Sequence, residues 1–134
     1  KNTRIGEFVL SIDYAPTVLM LSGASIGPQI QGKSIIPLLQ GKKENWRRSF
    51  LIESYSYQNP MPWLINTDYK AIRTEQYKYI HWYMHENKNE LYDLAKDPFE
   101  MHNLINKQNM QGIRKEMEKK LAIEVAKAFG LGKN

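Results

Sequence analysis

Six apolar side chains recur at intervals of three or four near the end of the chain: Met110, Ile113, Met117, Leu121, Val125 and Phe129. That spacing places them on one stripe of an α-helix, with Asn109 as its N-cap and Gly130 as its stop. Upstream the period changes to two. Tyr69 to Thr74 and Tyr77 to Tyr83 are alternating runs across a short turn, which predicts a β-hairpin. Glu90 to Leu94 adds a closing strand after a polar turn, His85 to Asn89, and Phe50 to Tyr57 reads as a strand before the hairpin. Alternation puts Tyr77, Tyr79, His81 and Tyr83 on one face and Ile80 and Trp82 on the other. One of these faces should pack on the helical stripe. The expected fold class is therefore α+β: a small antiparallel β-sheet of about four strands packed against a long C-terminal α-helix. Burying five such large side chains is worth on the order of 10 kcal/mol before conformational entropy is counted.

The first third reads differently. Phe8 to Leu10 fits the end of a strand. Asp13 is placed to cap a short helix from Tyr14 to about Ser22, with Tyr14, Val18 and Leu21 on one face and Gly23 as its stop. Ser34 repeats the device ahead of Ile35, Ile36, Pro37, Leu38 and Leu39, and Gly41 ends it. Helices this short are not stable alone and must pack on something. Lys42 to Arg48 is a charged connector holding Trp46. Gln58 to Asp68 is a loop of about eleven residues, long for a compact domain and of a length that is often functional. Asp97 looks like another helix N-cap, with Pro98 at the first helical position and Glu100 completing a capping box.

Composition narrows the function. The 134 residues are 42% hydrophobic and 25% charged, which is globular rather than disordered. No apolar run approaches the ~20 residues of a membrane-spanning helix. With no cysteine, disulfide and thiolate chemistry are excluded within this chain. The net charge of +5 is compatible with an anionic partner. However, Lys115, Lys119, Lys120 and Lys127 share the predicted helix with Glu116, Glu118 and Glu124, which reads as a mixed solvated face. The chain opens at Lys1, without Met, inside an apparently structured stretch, and is read as a fragment.

Candidate chemistry is sparse. His81 and His85 are four apart, but on a strand that is roughly 13 Å, too far for a shared metal. His102 stands alone. Arg73 suits either a bidentate contact to an oxyanion or an ion pair with Glu53 or Asp93. Tyr55, Tyr57, Trp63, Tyr79, Trp82 and Tyr83 either stack on sugar rings or pack across strands. Trp63, Asn66 and Thr67 stand in the long loop. Trp63, Asn66, Thr67, Tyr55 and Arg73 are the candidates for ligand contact. No residue is assigned as catalytic or as a metal ligand.

Several segments, in order, carry a family resemblance. They are Asp13-Tyr14-Ala15-Pro16-Thr17, Gly32-Lys33-Ser34-Ile35-Ile36-Pro37-Leu38-Leu39-Gln40-Gly41, the Arg73-Thr74 and Tyr77-Lys78-Tyr79-Ile80 hairpin, Glu90-Leu91-Tyr92-Asp93-Leu94, and Asp97-Pro98-Phe99-Glu100 running to Asn103-Leu104. Together they resemble the C-terminal region of a sulfatase, within the N-acetylglucosamine-6-sulfatase-like and polysaccharide branches. The resemblance implies that residues 1–45 are the edge of a large α/β domain and that 46–134 are a small C-terminal subdomain. It implies sulfuric ester hydrolysis of sulfated sugars by the parent, using calcium and a formylglycine made from Cys or Ser in a Cys/Ser-x-Pro-x-Arg motif. It also implies an exported location. No Ser here is followed by x-Pro-x-Arg, and Asp13, Asp68, Asp93 and Asp97 include no adjacent pair. A calcium site needs about 6–8 oxygen ligands, so no cofactor is expected in this chain and the segment alone is expected to be inactive. Its expected partners are an N-terminal sulfatase domain and a sulfated saccharide; no nucleic acid is expected, and the fragment is expected to self-associate through its uncovered apolar surface. The competing reading is a stand-alone basic and aromatic module for acidic glycan or nucleic acid. Tyr77 to Tyr83 lacks the Gly that an aromatic RNA-binding sheet of the RRM kind carries between its rings.

Overall fold

The computed structural model describes residues 4–56, 63 and 66–130. The chain forms two compact units, Lys1–Arg48 and Ser49–Asn134.

In the first unit, α1 spans Tyr14–Leu21 and α2 spans Ile36–Leu39. Asp13 holds the N-cap position of α1 as expected, but its side chain makes no capping bond there. Its carboxylate is buried and engaged elsewhere: it accepts from the backbone N–H of Leu10 at 2.8 Å and of Lys33 at 2.9 Å, and it pairs with both terminal nitrogens of Arg47. A short 3-10 turn, Ser11–Asp13, leads into the helix and displaces the carboxylate from the capping position. Thr17 then bridges the two motifs. Its hydroxyl donates to the Asp13 carbonyl at 2.6 Å and accepts from the Ile35 N–H at 3.0 Å. Gly32 lies so close to this turn that a Cβ there would stand 1.9 Å from the Ile12 carbonyl oxygen. Only glycine fits such an approach. Trp46 donates its indole N–H to the Phe8 carbonyl at 2.8 Å, and Phe8 to Leu10, expected to end a strand, lies outside the strands. The apolar face predicted for α1 points outward, leaving Tyr14, Val18 and Leu21 exposed.

The second unit is a four-stranded antiparallel sheet in sequential order. Its strands are β1 (Ser49–Ser54), β2 (Tyr69–Thr74), β3 (Tyr77–Trp82) and β4 (Glu90–Asp93), followed by α3 (Gln111–Ala128). These are the predicted elements with ends shifted by a few residues; Tyr57, the predicted end of β1, lies outside the described residues, as does most of the 58–68 loop. Neither Glu75 nor Gln76 adopts positive φ. Thr74 closes the hairpin instead: its hydroxyl accepts the Tyr77 N–H at 2.9 Å and donates to the Tyr77 carbonyl at 3.0 Å.

Ile72, Tyr79 and Leu91 pack with Ile105, Met117 and Leu121 on the α3 side. Ala71, Ile80, Tyr92 and Leu94 form the opposite face. A single turn of 3-10 helix, Gln108–Met110, precedes α3, so Asn109 lies inside that turn and is not its cap.

The Asp97 prediction also changes. No helix starts there. Asp97 to Glu100 is a turn, closed by the Glu100 N–H on the Asp97 carbonyl at 3.1 Å, and Glu100 has φ +57°. That left-handed residue cannot continue a helix. Glu100 reaches Lys78 at 2.6 Å rather than completing a capping box. Asn103 and Leu104 then cover the edge of β4. The Asn103 side-chain oxygen accepts the Leu91 N–H at 3.0 Å, and the Leu104 N–H donates to the Leu91 carbonyl at 2.8 Å. An otherwise open strand edge is thereby occupied.

Candidate functional site

Strand register gathers several polar side chains at one end of the sheet. Glu53 lies opposite Lys70, and Lys70 lies opposite His81. Two-residue periodicity sets all three on the α3 side with Ile72 and Tyr79. Lys70 is buried there. Its ammonium reaches the Glu53 carboxylate at 3.3 Å and sits 4.2 Å from the Phe129 ring centroid and 5.8 Å from that of Tyr83. Burial pushes the Lys70 pKa down, but the Glu53 carboxylate more than offsets this and holds it above the ordinary value. Tyr55 donates its hydroxyl to the same Glu53 oxygen at 2.8 Å, which raises the phenol above its usual value. Lys70 stays charged and Tyr55 stays protonated at neutral pH. Neither serves as a base there; together they fix a hydroxyl and a carboxylate at the sheet rim.

The neck of the long loop is at the same end. Asp68 Oδ1 accepts the Ser56 N–H at 2.6 Å and also the Ser56 hydroxyl. The hydroxyl and the N–H both hold the Asp68 carboxyl below its ordinary pKa. The Asp68 carbonyl accepts the Tyr83 N–H at 3.2 Å. One residue thus joins the ends of β1 and β3 to the start of β2.

Between β3 and α3 runs a groove of about 520 Å³, with His81, Tyr83, Asn89, Arg114 and Glu118 among its walls. At its base the Tyr79 hydroxyl accepts from Asn89 at 3.3 Å and faces Glu118 at 3.4 Å. Burial pushes this phenol up to about 12, so it is no nucleophile at neutral pH. The His81 and Tyr83 rings meet edge to face at 5.0 Å.

The sequence candidates do not all meet. Tyr55 stands at this rim. Asn66 and Thr67 immediately precede the Asp68 clasp, and Asn66 has φ +63°, a conformation asparagine tolerates better than most residues. Trp63 is 74% exposed. Arg73 lies elsewhere: it is opposite Phe50 and Lys78, three positions or about 10 Å along β2 from Lys70, and on the other face of the strand from it. The partners expected for it are engaged by others, Glu53 by Lys70 and Asp93 by Lys96 at 3.5 Å.

Sequence reasoning passed over Lys70, Asp68 and Phe129. Lys70 did carry a signal, a charge at a core-facing position beside Ile72. Among the described residues, no three His, Cys, Asp or Glu side chains converge as a metal site. These donors do not fit calcium.

Known proteins share this architecture. The N-acetylglucosamine-6-O-sulfatase of Bacteroides thetaiotaomicron is 32% identical over 111 residues, covering 81% of this chain and 19% of that protein. The Delta 4,5-hexuronate-2-O-sulfatase of the same organism is 31% identical over 94 residues, covering 70% of this chain and again 19% of its own length. The chain therefore spans about a fifth of these curated relatives. A solved structure in complex with its substrate D-glucosamine-2-N,6-O-disulfate superposes with a TM-score of 0.76 at 31% identity, covering 90% of this chain and 24% of that one. The family described as N-sulphoglucosamine sulphohydrolase, C-terminal, matches residues 1–127, and the chain belongs to it.

Proposed function

We propose that this chain is the C-terminal part of a sulfuric ester hydrolase acting on sulfated sugars, and that the loop end of its sheet helps select the substrate. The observation that carries this reading is the convergence of the Tyr55–Glu53–Lys70 ladder and the Asp68 clasp beside Asn66 and Thr67. These groups are paired and pre-positioned, as a binding rim requires. None is an activated nucleophile. In this reading the formylglycine and the calcium stand N-terminal to Lys1 and supply the sulfate-cleaving chemistry. Residues of the present chain orient the sugar. The absence of cysteine and of a Ser-x-Pro-x-Arg motif supports that division, as do the longer relatives.

In the same reading, residues 1–45 are the edge of the large α/β domain. Exposed Tyr14, Val18, Leu21 and Leu39 are the apolar surface the rest of the enzyme covers, and the isolated chain self-associates through it.

The purified 134-residue chain is expected to hydrolyse no aryl sulfate above a contamination control; clear turnover would overturn the division of labour. In the full-length enzyme, Trp63→Ala and Asn66→Ala are expected to lower kcat/KM for a sulfated sugar by about 10-fold or more, with the melting temperature retained. Unchanged kinetics for both variants would remove the loop from substrate selection.

A further inference from the structure

We infer that Asp68 is a positioning residue, whose clasp on Ser56 sets where Asn66 and Thr67 stand and so sharpens the choice of sugar. The inference rests on the functional reading above and extends it to a residue that reading does not use for contact.

The geometry is specific. Ser56 and Asp68 are twelve positions apart and bracket the long connection. A single carboxylate oxygen receives both donors that Ser56 offers, its N–H at 2.6 Å and its hydroxyl. The backbone carbonyl of the same residue receives the Tyr83 N–H at 3.2 Å, tying the clasp to the third strand. Both residues are half-buried. Hydrogen bonds to an ionised acceptor are shorter and stronger than neutral ones. A clasp at the base of a connection constrains first the residues that adjoin it. The effect is therefore felt most by the nearest residues, Asn66 and Thr67. Asp68 spends its Oδ1 on Ser56 and is assigned no part in bond cleavage. Asparagine at this position retains a side-chain oxygen able to accept the same two hydrogens, whereas alanine retains neither interaction.

The test has two readouts. In the full-length enzyme with a sulfated disaccharide, Asp68→Ala is expected to raise KM about five- to tenfold with kcat kept within about twofold, and Ser56→Ala, which keeps the backbone N–H bond, to raise it by less. Asp68→Asn is expected to restore KM. In the 134-residue chain, the amide resonances of Asn66 and Thr67 are expected to shift or broaden in Asp68→Ala and to return in Asp68→Asn. Unmoved resonances in Asp68→Ala would overturn the positioning role whatever the enzyme's activity. So would kcat and KM worsening together with a lowered melting temperature, or a KM that does not change. Failure of the wild-type enzyme to turn over any sulfated sugar would instead refute the functional reading, and the resonances would still decide the clasp.

Discussion

Asp13→Ala is expected to destabilise the first unit by about 3–5 kcal/mol, the usual cost of breaking a buried ion pair from one side. Asp13 is buried, and its carboxylate accepts the Leu10 and Lys33 N–H groups. Removing it leaves both donors and the Arg47 guanidinium without their anion. Arg47 keeps its contact to the Phe8 carbonyl at 3.3 Å and its place over the Trp46 ring at 5.0 Å, neither of which carries negative charge. Asp13→Asn keeps acceptor capacity for one of these donors and should cost less. Hydrogen exchange read at residues 4–48 of the full chain measures the effect directly; protection equal to wild type in Asp13→Ala would refute it.

Acid should produce the same lesion reversibly. Burial alone pushes the Asp13 carboxyl up, but the Arg47 guanidinium and the N–H groups of Lys33 and Leu10 more than offset this and hold it below the ordinary value. A carboxyl with a lowered folded pKa contributes stability that is present above its unfolded value, about 3.9. That contribution is lost as pH falls through the folded value. Protection in the first unit should therefore fall on acidification below about pH 4 and return on neutralisation.

Regular elements were readable from sequence wherever a period persisted. Met117 and Leu121 are buried as the four-residue repeat demands, and Ile72 and Tyr79 share a face as alternation demands. Signals confined to one or two residues misled. Asp97-Pro98 with Glu100 satisfies a capping box, yet the following residues hold no apolar stripe: Phe99 and Met101 are exposed. Without a face to bury, no helix repays its nucleation, and the segment becomes a turn that delivers Asn103 and Leu104 to the edge of β4. Asp13 was misread for a related reason. A capping aspartate and a buried hub look alike until the partners, Lys33 and Arg47, are brought in from 20 and 34 positions away. The candidate site shows the same limit. Tyr55 was legible as a strand aromatic and Asn66 and Thr67 as part of a long loop, but not that they stand at one end of the sheet. The Glu53–Lys70 pair and the Ser56–Asp68 clasp depend on strand register, which one sequence does not display. Arg73 illustrates the converse: it reads as a neighbour of the site along the chain, but pleat and register carry it to the other face.

Leu91→Ala should be nearly as damaging as Asp13→Ala, through the second unit. Leu91 is 0% exposed and packs among Ile72, Tyr79, Ile105, Met117 and Leu121. Truncation removes buried methyl and methylene groups and leaves a cavity whose walls are two strands and α3, which cannot collapse freely. A cost of about 2–5 kcal/mol is expected. Ile123→Ala, on the exposed side of α3 at 44% exposure, should stay within about 0.5 kcal/mol. Urea unfolding separates them: a lower midpoint with unchanged slope for Leu91→Ala, and no shift for Ile123→Ala. Equal midpoints would mean that the sheet–helix interface is not where the stability of this unit resides. The consequence for function follows from pairing. β4 holds β3, and β3 leads into the His81–Tyr83 pair, whose Tyr83 N–H donates to the Asp68 carbonyl. In the proposed reading, loss of Leu91 would weaken substrate selection only as temperature or denaturant opens the sheet, unlike Asp68→Ala, whose expected effect is present in the fully folded protein.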